Sequence, residues 1–254
     1  MDIKSVAITA VKKAGKILLE LSKSNIRYEK KNKFDILAEG DLKSERIIID
    51  LIKKSFPTHS ILSEEKGEEN NESEYFWIID PVDGTINFSR KINEYCVSVA
   101  VEHEGELVLG VIYQPVLDRL YVAERGKGAF LNGKKLLVSN ESKLINMLLS
   151  TDNTSSITGR AKNFGILART CNKVRHIRVF GSSALHLAKI ASGNLDIHFK
   201  SRFNYWDYAA GIMLVKEAGG KVTDFEGRDI TKSSENVVVS NGKIHKEILD
   251  ILND

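Results

Sequence analysis

The chain has 254 residues, which fits one large domain or two small domains that share an interface. Its composition, 42% hydrophobic and 28% charged, excludes a disordered or fibrous chain. The net charge of +3 is too small to indicate a nucleic-acid-binding protein, and two cysteines are too few for a disulfide scaffold, which favours a reducing cytoplasm. No apolar run approaches the roughly 18 residues of a membrane span, and we expect no signal peptide.

The first third of the chain is predicted to contain two helices. Apolar residues recur at helical spacing over residues 3–22 and predict the first helix there. The second is predicted over residues 41–55, with Asp41 as its N-cap. The polar segment between them, residues 25–40, is predicted to be a mobile loop or a hairpin.

A strand-rich stretch follows, in which Asn132 and Gly133 have the residue types of a tight turn. Its predicted strands are residues 60–62, 76–79, 95–101, 107–113, 120–123, 129–131 and 135–138. The pattern then changes to helices at 183–191, 206–218 and 243–252 and strands at 195–199, 221–223 and 236–240. We therefore predict an α+β subdomain with an antiparallel sheet over residues 1–140, an α/β subdomain over 141–254, and layered α/β packing.

The most informative segment is the end of the predicted strand 76–79, where Asp80, Pro81, Asp83 and Gly84 follow. The two aspartates are three residues apart across a predicted turn, so both carboxylates can converge on one point. The N–H groups that begin the next short helix form an anion site. Two carboxylates beside such a site favour Mg²⁺, which prefers hard oxygen ligands, over zinc. The alternative is a plain Asp-Gly turn that caps a helix.

Two further acidic residues stand at the ends of predicted elements. Glu64 follows the strand 60–62 as Asp80 follows its own strand, so neighbouring strands would place the two side by side. Asp207 stands at the head of an apolar helix whose small residues allow close packing. Simpler explanations are that Glu64 is a surface carboxylate in a glutamate-rich loop and Asp207 an N-cap.

These motifs resemble the inositol monophosphatase-like family of Mg²⁺-dependent, lithium-sensitive phosphatases. Asp-Pro-hydrophobic-Asp-Gly-Thr-x-Asn-Phe is present at residues 80–88, Trp-Asp-x-Ala-Ala-Gly at 206–211, Glu-Ala-Gly-Gly at 217–220 and a Glu-Glu pair at 64–65. The resemblance implies the sugar-phosphatase fold, an α/β sandwich with alternating α/β/α/β/α layers. It also implies a cytoplasmic enzyme that usually forms a homodimer.

The resemblance further implies two to three Mg²⁺ ions, with Mn²⁺ as an alternative ion. The family's metal ligands match Glu64, Asp80, the carbonyl of Val82, Asp83 and Asp207. The implied reaction is in-line attack on phosphate by a water that the metal acidifies. Glu64 and the hydroxyl of Thr85 would orient and deprotonate this water, while the amides of Gly84 and Thr85 bind the phosphate.

The polar loop before the second helix also matches the family. Asp35 and Asp41 retain both aspartates of the family's Asp-x-Val-Thr-x-x-Asp, whereas Ala38 replaces the threonine. The family pairs this loop with catalysis, so Asp41 is expected to act beside Glu64 and Thr85. The flap lysine of the family could be Lys30, Lys31 or Lys33.

Substrate choice depends on a second set of residues. Inositol-specific members often carry a glutamate at the position of Lys200, whereas members that accept fructose 1,6-bisphosphate resemble this chain at Arg178, Ser183 and Arg202. Lys200 and Arg202 could bind a second phosphate, or simply face solvent. The substrate-binding residues implied are Asp83, Gly84, Thr85, Arg178, Gly181, Ser182, Ser183, Lys200, Arg202 and Asp207.

The expected function is hydrolysis of a phosphate monoester on a small polyol or sugar, with inositol 1-phosphate as the first substrate and fructose 1,6-bisphosphate as a second. A 3′-phosphoadenosine 5′-phosphate phosphatase shares these motifs, but we identify no flat apolar wall for its adenine. A non-catalytic regulator that binds RNA or a polymerase is the alternative from another class. Only the basic stretch 160–178 favours it, and nothing would retain four metal carboxylates in a scaffold. A membrane or nucleic acid is therefore not an expected partner.

Overall fold

The computed structural model describes residues 2–253. Within that range the chain forms seven α-helices and two short 3₁₀ turns, Pro115–Leu117 and Leu144–Asn146. The helices are α1 (Ile3–Ser22), α2 (Glu39–Ser55), α3 (Thr85–Ser89), α4 (Ile157–Thr170), α5 (Ser183–Ala191), α6 (Tyr205–Glu217) and α7 (His245–Asn253). None of them combines the length and the apolar character that crossing a bilayer requires.

The described strands form one hairpin and two sheets. The hairpin pairs β1 (Tyr28–Lys30) with β2 (Ile36–Ala38). The first sheet contains β3 (Ser60–Ser63), β4 (Gly67–Glu69), β5 (Tyr75–Asp83), β6 (Cys96–His103), β7 (Glu106–Gln114), β8 (Arg119–Glu124), β9 (Gly128–Leu131) and β10 (Lys134–Lys135). The second contains β11 (Leu148–Ser150), β12 (His176–Arg178), β13 (Ile197–Ser201), β14 (Lys221–Thr223) and β15 (Asn236–Ser240).

The strand order of the first sheet is β10-β9-β8-β7-β6-β5-β3-β4, and only β3 and β5 pair in parallel. The second sheet has the order β12-β11-β13-β15-β14, with β11 parallel to both of its neighbours. A parallel pair places the carboxyl ends of both strands at the same edge. The β3–β5 pairing therefore brings the residues that follow these two strands together.

Alternating side chains divide the core into layers. On β5, Trp77 and Ile79 pack with α1 and α2, while Ile78 between them packs with α5 and α6. On β15, Val238 packs with α4 and α7 and its neighbours face α5 and α6. The order α1–α2, first sheet, α5–α6, second sheet, α4–α7 confirms the predicted α/β/α/β/α layers.

The layer between the sheets is held by very close contacts at two glycines. A Cβ atom at Gly110 on β7 would lie 2.5 Å from the carbonyl oxygen of Ala210 on α6. A Cβ atom at Gly211 on α6 would lie 2.6 Å from Cβ of Leu187 on α5. Helix α6 therefore packs against β7 and α5 so closely that neither glycine leaves room for a side chain.

Several predicted elements are confirmed, including α1, α5, β14 and β15 with the predicted bounds and a hairpin before α2. The prediction that Asp41 is the N-cap of α2 is wrong. The helix begins at Glu39, and the Asp41 carboxylate accepts the N–H of Ala38 at 2.8 Å from inside the first turn. Position N3 can satisfy a free N–H as well as an N-cap can.

The turn predicted at residues 80–83 is a bulge within a longer strand. Strand β5 continues through Pro81 to Asp83, and its pairing with β6 shifts between Asp80 and Asp83. Proline has no N–H to donate, so a bulge is where a sheet tolerates it. The short helix α3 then follows Gly84, whose φ of 96° suits glycine.

The region of residues 141–182 differs most from the predictions. Helix α4 and strands β11 and β12 were not predicted, and β10 covers two residues rather than the predicted 135–138. The sequence of α4 contains Gly159 and Gly165, which weaken the helical pattern. The helix forms because Ile166 and Leu167 pack against the second sheet.

Candidate active site

Glu64 and Asp80 lie side by side because the strands that carry them are neighbours, as predicted. Ser63 at the end of β3 is in register with Ile79 on β5. The N–H of Glu64 continues this pairing by donating to the carbonyl of Ile79 at 3.2 Å. The bulge that follows lets Asp80 and Asp83 both face one cavity.

This cavity has a volume of about 590 Å³ and lies between the carboxyl end of β5 and the first residues of α3 and α6. Of the candidate site residues, those that line it are Glu64, Asp80, Val82, Asp83, Gly84, Thr85, Gly181, Ser183, Lys200, Arg202 and Asp207. Asp41 and Ser182 do not line it but form hydrogen bonds with two residues that do, Thr85 and Asp83. Arg178 lies outside it on β12, where the exposed guanidinium donates to the carbonyl of Ile177 at 2.9 Å.

Asp41 supports Thr85 from below the cavity. The hydroxyl of Thr85 can donate to Asp41 Oδ1 at 2.9 Å or to the carbonyl of Val82 at 3.0 Å. Burial raises the pKa of Asp41 to about 7, although the hydrogen bonds from Thr85 and Ala38 oppose this rise. The contact fixes the position of the Thr85 oxygen at the cavity wall.

The hairpin before α2 places one of the three candidate lysines in the acidic site. Lys31 Nζ lies 3.0 Å from Glu64 Oε1 and also contacts Glu65. Burial alone would lower the pKa of Lys31, but the two glutamates reverse this effect and raise it. Asp41, Glu64 and Glu65 each offer an oxygen atom within 4.8 Å of the others. Lys31 is thus a cation held among carboxylates.

The lysines near Glu64, Asp80 and Asp207 do not supply enough positive charge to balance these carboxylates. Burial raises the pKa of Glu64 to about 8 and that of Asp207 to about 6, despite the opposing effects of Lys31 and Lys200. The pKa of Asp80 rises well above its usual value, because burial is reinforced by repulsion from Glu64, Asp83 and Asp207. Val82 lines the same cavity, and its carbonyl oxygen lies 3.0 Å from the hydroxyl of Thr85. Such a donor set, all oxygen and mostly anionic, fits a divalent cation such as Mg²⁺.

Asp83 has a second role that the sequence did not reveal. Its carboxylate accepts the N–H groups of Ser183 at 3.0 Å and Ala184 at 2.7 Å, and the hydroxyl of Ser182 donates to it as well. It therefore caps α5, one hundred residues further along the chain. This contact joins the first sheet to the α5–α6 layer at the cavity.

A second buried carboxylate, Asp152, was also missed. It accepts the N–H of Gly181 and a hydrogen bond from His186 Nε2, both at 2.9 Å. Burial would raise its pKa, but the interactions with His186 and Lys200 outweigh burial and hold the pKa well below its usual range. Its one sequence signal is that it precedes a long stretch without acidic residues.

The two cations considered for a second phosphate have different surroundings. Lys200 is buried, with 9% of its side chain exposed, and its Nζ lies 3.1 Å from Ser183 Oγ and 3.8 Å from Asp207 Oδ2. It therefore faces the cavity rather than solvent. Arg202 is 55% exposed and forms an ion pair with Glu235 at 3.1 Å.

Comparisons with known proteins agree on one family. Residues 2–254 match the inositol monophosphatase family. A Thermotoga maritima protein named fructose-1,6-bisphosphatase/inositol-1-monophosphatase is 38% identical over all of this chain and 97% of its own length. The Nus factor SuhB of Escherichia coli is 35% identical over 98% of this chain and 95% of its own. The crystal structure of the extragenic suppressor protein suhB from Bartonella henselae superposes with a TM-score of 0.95 at 35% identity, covering 99% of this chain and 98% of that one.

Proposed function

Because the chain belongs to the inositol monophosphatase family, a family of phosphatases, we propose that it hydrolyses inositol 1-phosphate with Mg²⁺ as its cofactor. One observation carries this proposal. The four carboxylates of Glu64, Asp80, Asp83 and Asp207 line one cavity, and burial raises the pKa of each. Carboxylates in this state bind a divalent cation in exchange for their protons.

Two Mg²⁺ ions would be held by five groups, with Asp80 shared between the ions. These are the carboxylates of Glu64, Asp80, Asp83 and Asp207 and the carbonyl oxygen of Val82. When bound, Mg²⁺ acidifies a water and neutralises charge on the leaving oxygen. The protein must supply the remaining steps, which are binding, orientation and proton transfer.

Thr85, Asp41 and Glu64 are proposed to handle the proton of the attacking water. The Thr85 hydroxyl donates a hydrogen bond to Asp41 at 2.9 Å. The lone pairs of the Thr85 oxygen are then free to accept a hydrogen bond from water. Glu64, at the same wall, would receive the proton. The amides of Gly84 and Thr85 would bind the phosphate oxygens. The ammonium of Lys31 is close enough to Glu64 to hold the hairpin of β1 and β2 against the site.

A second activity towards fructose 1,6-bisphosphate is also proposed. The relative from Thermotoga maritima carries both activities in its name. In this chain, Arg202 and Lys200 line the cavity that contains the carboxylates. A cation there can stabilise a second phosphate, which inositol 1-phosphate lacks.

We propose a homodimer as the oligomeric state. The side chains of Ile86, Ile92 and Val179 are each about half exposed. Their segments are joined, because the amide of Asn87 donates to the carbonyl of Phe180 at 2.6 Å. Exposed apolar side chains on joined segments favour association. Light scattering should give twice the chain mass for wild type and less for Ile92→Asp, and a wild-type monomer would contradict the proposal.

Phosphate release from three substrates tests the function. Inositol 1-phosphate, fructose 1,6-bisphosphate and 3′-phosphoadenosine 5′-phosphate are each incubated with the enzyme in Mg²⁺ or in EDTA, with Asp80→Asn as the control variant. We expect Mg²⁺-dependent release from the first two, fastest from inositol 1-phosphate. Preference for the nucleotide would favour the alternative phosphatase. If no substrate gives more phosphate than the control does, while the protein binds RNA, the regulator suggested by the SuhB relative would be favoured instead.

A further inference from the structure

Lys200 places a positive charge inside the layer between the two sheets. On β13, Ile197 and Phe199 pack with α4 and α7, so His198 and Lys200 face α5 and α6 on the other side. The Lys200 ammonium lies 3.8 Å from Asp207 Oδ2 and donates to Ser183 Oγ at 3.1 Å. An ammonium group has three N–H donors, and these two contacts engage it only in part.

Two carboxylates of different kinds are linked to this ammonium, Asp207 directly and Asp152 through the hydroxyl of Ser183. Asp207 is a proposed metal ligand and lines the cavity. Asp152 accepts the Ser183 hydroxyl at 3.4 Å and is held in place by Gly181 and His186. The charge of Lys200 stabilises the ionised form of both carboxylates. Lys200 therefore has two anionic neighbours, one in direct reach and one reached through the Ser183 hydroxyl.

We propose that Lys200 is a built-in competitor for the metal ion that binds Asp207, and that it lowers the affinity of the site for Mg²⁺. This inference rests on the proposed function, because it takes Asp207 as a metal ligand. Mg²⁺ requires carboxylate oxygens at about 2.1 Å. A second cation that shares the same carboxylate repels the ion and reduces the charge available to it. Binding of Mg²⁺ therefore moves the ammonium towards Ser183 and Asp152.

Asp152 gives the displaced ammonium its alternative partner. Its pKa is held low, in part by the charge of Lys200, and the Ser183 hydroxyl that accepts from Lys200 also donates to it. In Asp152→Asn the amide keeps the hydrogen-bonding shape but removes the charge. Lys200 then depends on Asp207 alone and competes with Mg²⁺ more strongly.

Titration calorimetry of the full chain with MgCl₂ after EDTA treatment tests the competition. Lys200→Met is expected to tighten Mg²⁺ binding at least about fivefold, the lower end of the range for coupled sites. Lys200→Gln, which keeps a polar group near Ser183, should do the same. The matched control is Lys189→Met, because Lys189 pairs with Glu94 at 3.0 Å and does not line the cavity. It removes the same charge and should leave Mg²⁺ affinity within about twofold of wild type.

A double-mutant cycle separates this role from a general effect of charge. Asp152→Asn should weaken Mg²⁺ binding in the wild-type background and have no effect in Lys200→Met. Unchanged or weaker binding in both Lys200 variants, each shown to be folded by circular dichroism, would overturn the inference. Asp207→Asn distinguishes the two proposals. If it leaves Mg²⁺ binding unchanged, the assignment of Asp207 as a metal ligand is wrong; if it weakens or removes binding while the Lys200 variants match wild type, only the role of Lys200 is wrong.

Discussion

Two kinds of buried carboxylate line the same cavity, and their pKa values are shifted in opposite directions. Burial raises the pKa of Asp80 and of Asp207, and their neighbours among the carboxylates reinforce it. Asp152 is buried just as deeply, yet its pKa is held well below its usual range because its interactions with His186 and Lys200 outweigh burial. The difference lies in the counter-charges that the chain provides. The acidic centre, formed by Glu64, Asp80, Asp83 and Asp207, needs a cation from solution to balance its charge, whereas the chain itself provides the partners that balance the charge of Asp152.

The largest effect is expected for Asp80→Asn. The change removes a proposed metal ligand, and turnover of inositol 1-phosphate should fall by about a thousandfold at saturating Mg²⁺. The metal-free protein should melt no lower than wild type, because the amide relieves repulsion among the carboxylates. Phosphate release and thermal unfolding in EDTA measure the two effects. A variant that retains most of the activity would show that Asp80 is not a ligand.

Removing Asp152 should have the opposite result for stability. Asp152→Ala leaves the N–H of Gly181 and the side chain of His186 without their shared acceptor inside the protein. We expect the free energy of unfolding to fall by about 3 kcal/mol without Mg²⁺, and by more in its presence because the variant also binds Mg²⁺ less tightly. Urea denaturation measures this loss. A loss seen only in the presence of Mg²⁺ would mean that Asp152 acts on the metal rather than on the fold.

Asp83→Asn should combine both effects, because Asp83 belongs to the acidic centre and also caps α5. The sequence alone predicts that this variant loses turnover and keeps its fold intact. In the structure, an amide NH₂ would meet the N–H of Ser183 or Ala184, so we now also expect a loss of about 1–3 kcal/mol in stability. Unfolding in EDTA, compared with Asp80→Asn, measures the difference. Equal melting of the two variants would argue against the capping role.

The pH dependence of stability should separate the two carboxylate sets. The pKa values of Asp207, Asp41 and Glu64 are raised to about 6, 7 and 8, so folding without metal favours their protonated forms. That stabilisation is present at low pH and is lost as the pH rises through 6 to 8. The pKa of Asp152 is lowered, so its ionised form stabilises the fold, and this stabilisation is lost only as the pH falls below about 4. The increase in melting temperature on adding Mg²⁺ should therefore be larger at pH 8.5 than at pH 6, and an equal increase would contradict this.

The smallest effect is expected at an exposed pair. Arg202 is half exposed and shares its charge with Glu235, so a second phosphate gains less from it than from a buried cation. Arg202→Ala should lower kcat/KM for fructose 1,6-bisphosphate by about tenfold relative to inositol 1-phosphate. The ratio of the two efficiencies in variant and wild type is the measurement. Equal losses for both substrates would mean that Arg202 only supports the structure.

The sequence predicted those parts of the fold and site that local patterns encode. Helices α1 and α5 have strong apolar periodicity, and the similar positions of Glu64 and Asp80 after short strands indicated that they meet. The contacts of Asp83 with α5 and of Asp152 with Gly181 join residues 29 to 101 positions apart, and no local pattern carries that information. Helix α4 was missed for the same reason, because its packing on the second sheet overrides two glycines.

Glu217 illustrates how a motif can be recognised before its physical basis is visible. The sequence identified it only as part of Glu-Ala-Gly-Gly. In the structure its carboxylate accepts the N–H groups of Gly126 at 2.8 Å and Gly128 at 2.7 Å. It therefore fixes the turn between β8 and β9 to the end of α6. This role is structural and lies away from the residues that line the cavity.

The close contact at Gly110 has a consequence for motion. Helix α6 meets β7 through the carbonyl of Ala210 and a residue without a side chain, so no rotamer change can alter the distance between them. Asp207 begins this helix, and Asp80 belongs to the sheet on which it rests. Fluctuations of core side chains are thereby decoupled from the spacing of these two carboxylates. The hairpin of β1 and β2, in contrast, meets its neighbours through side chains, such as Phe34 stacked on Arg160 of α4 at 3.9 Å.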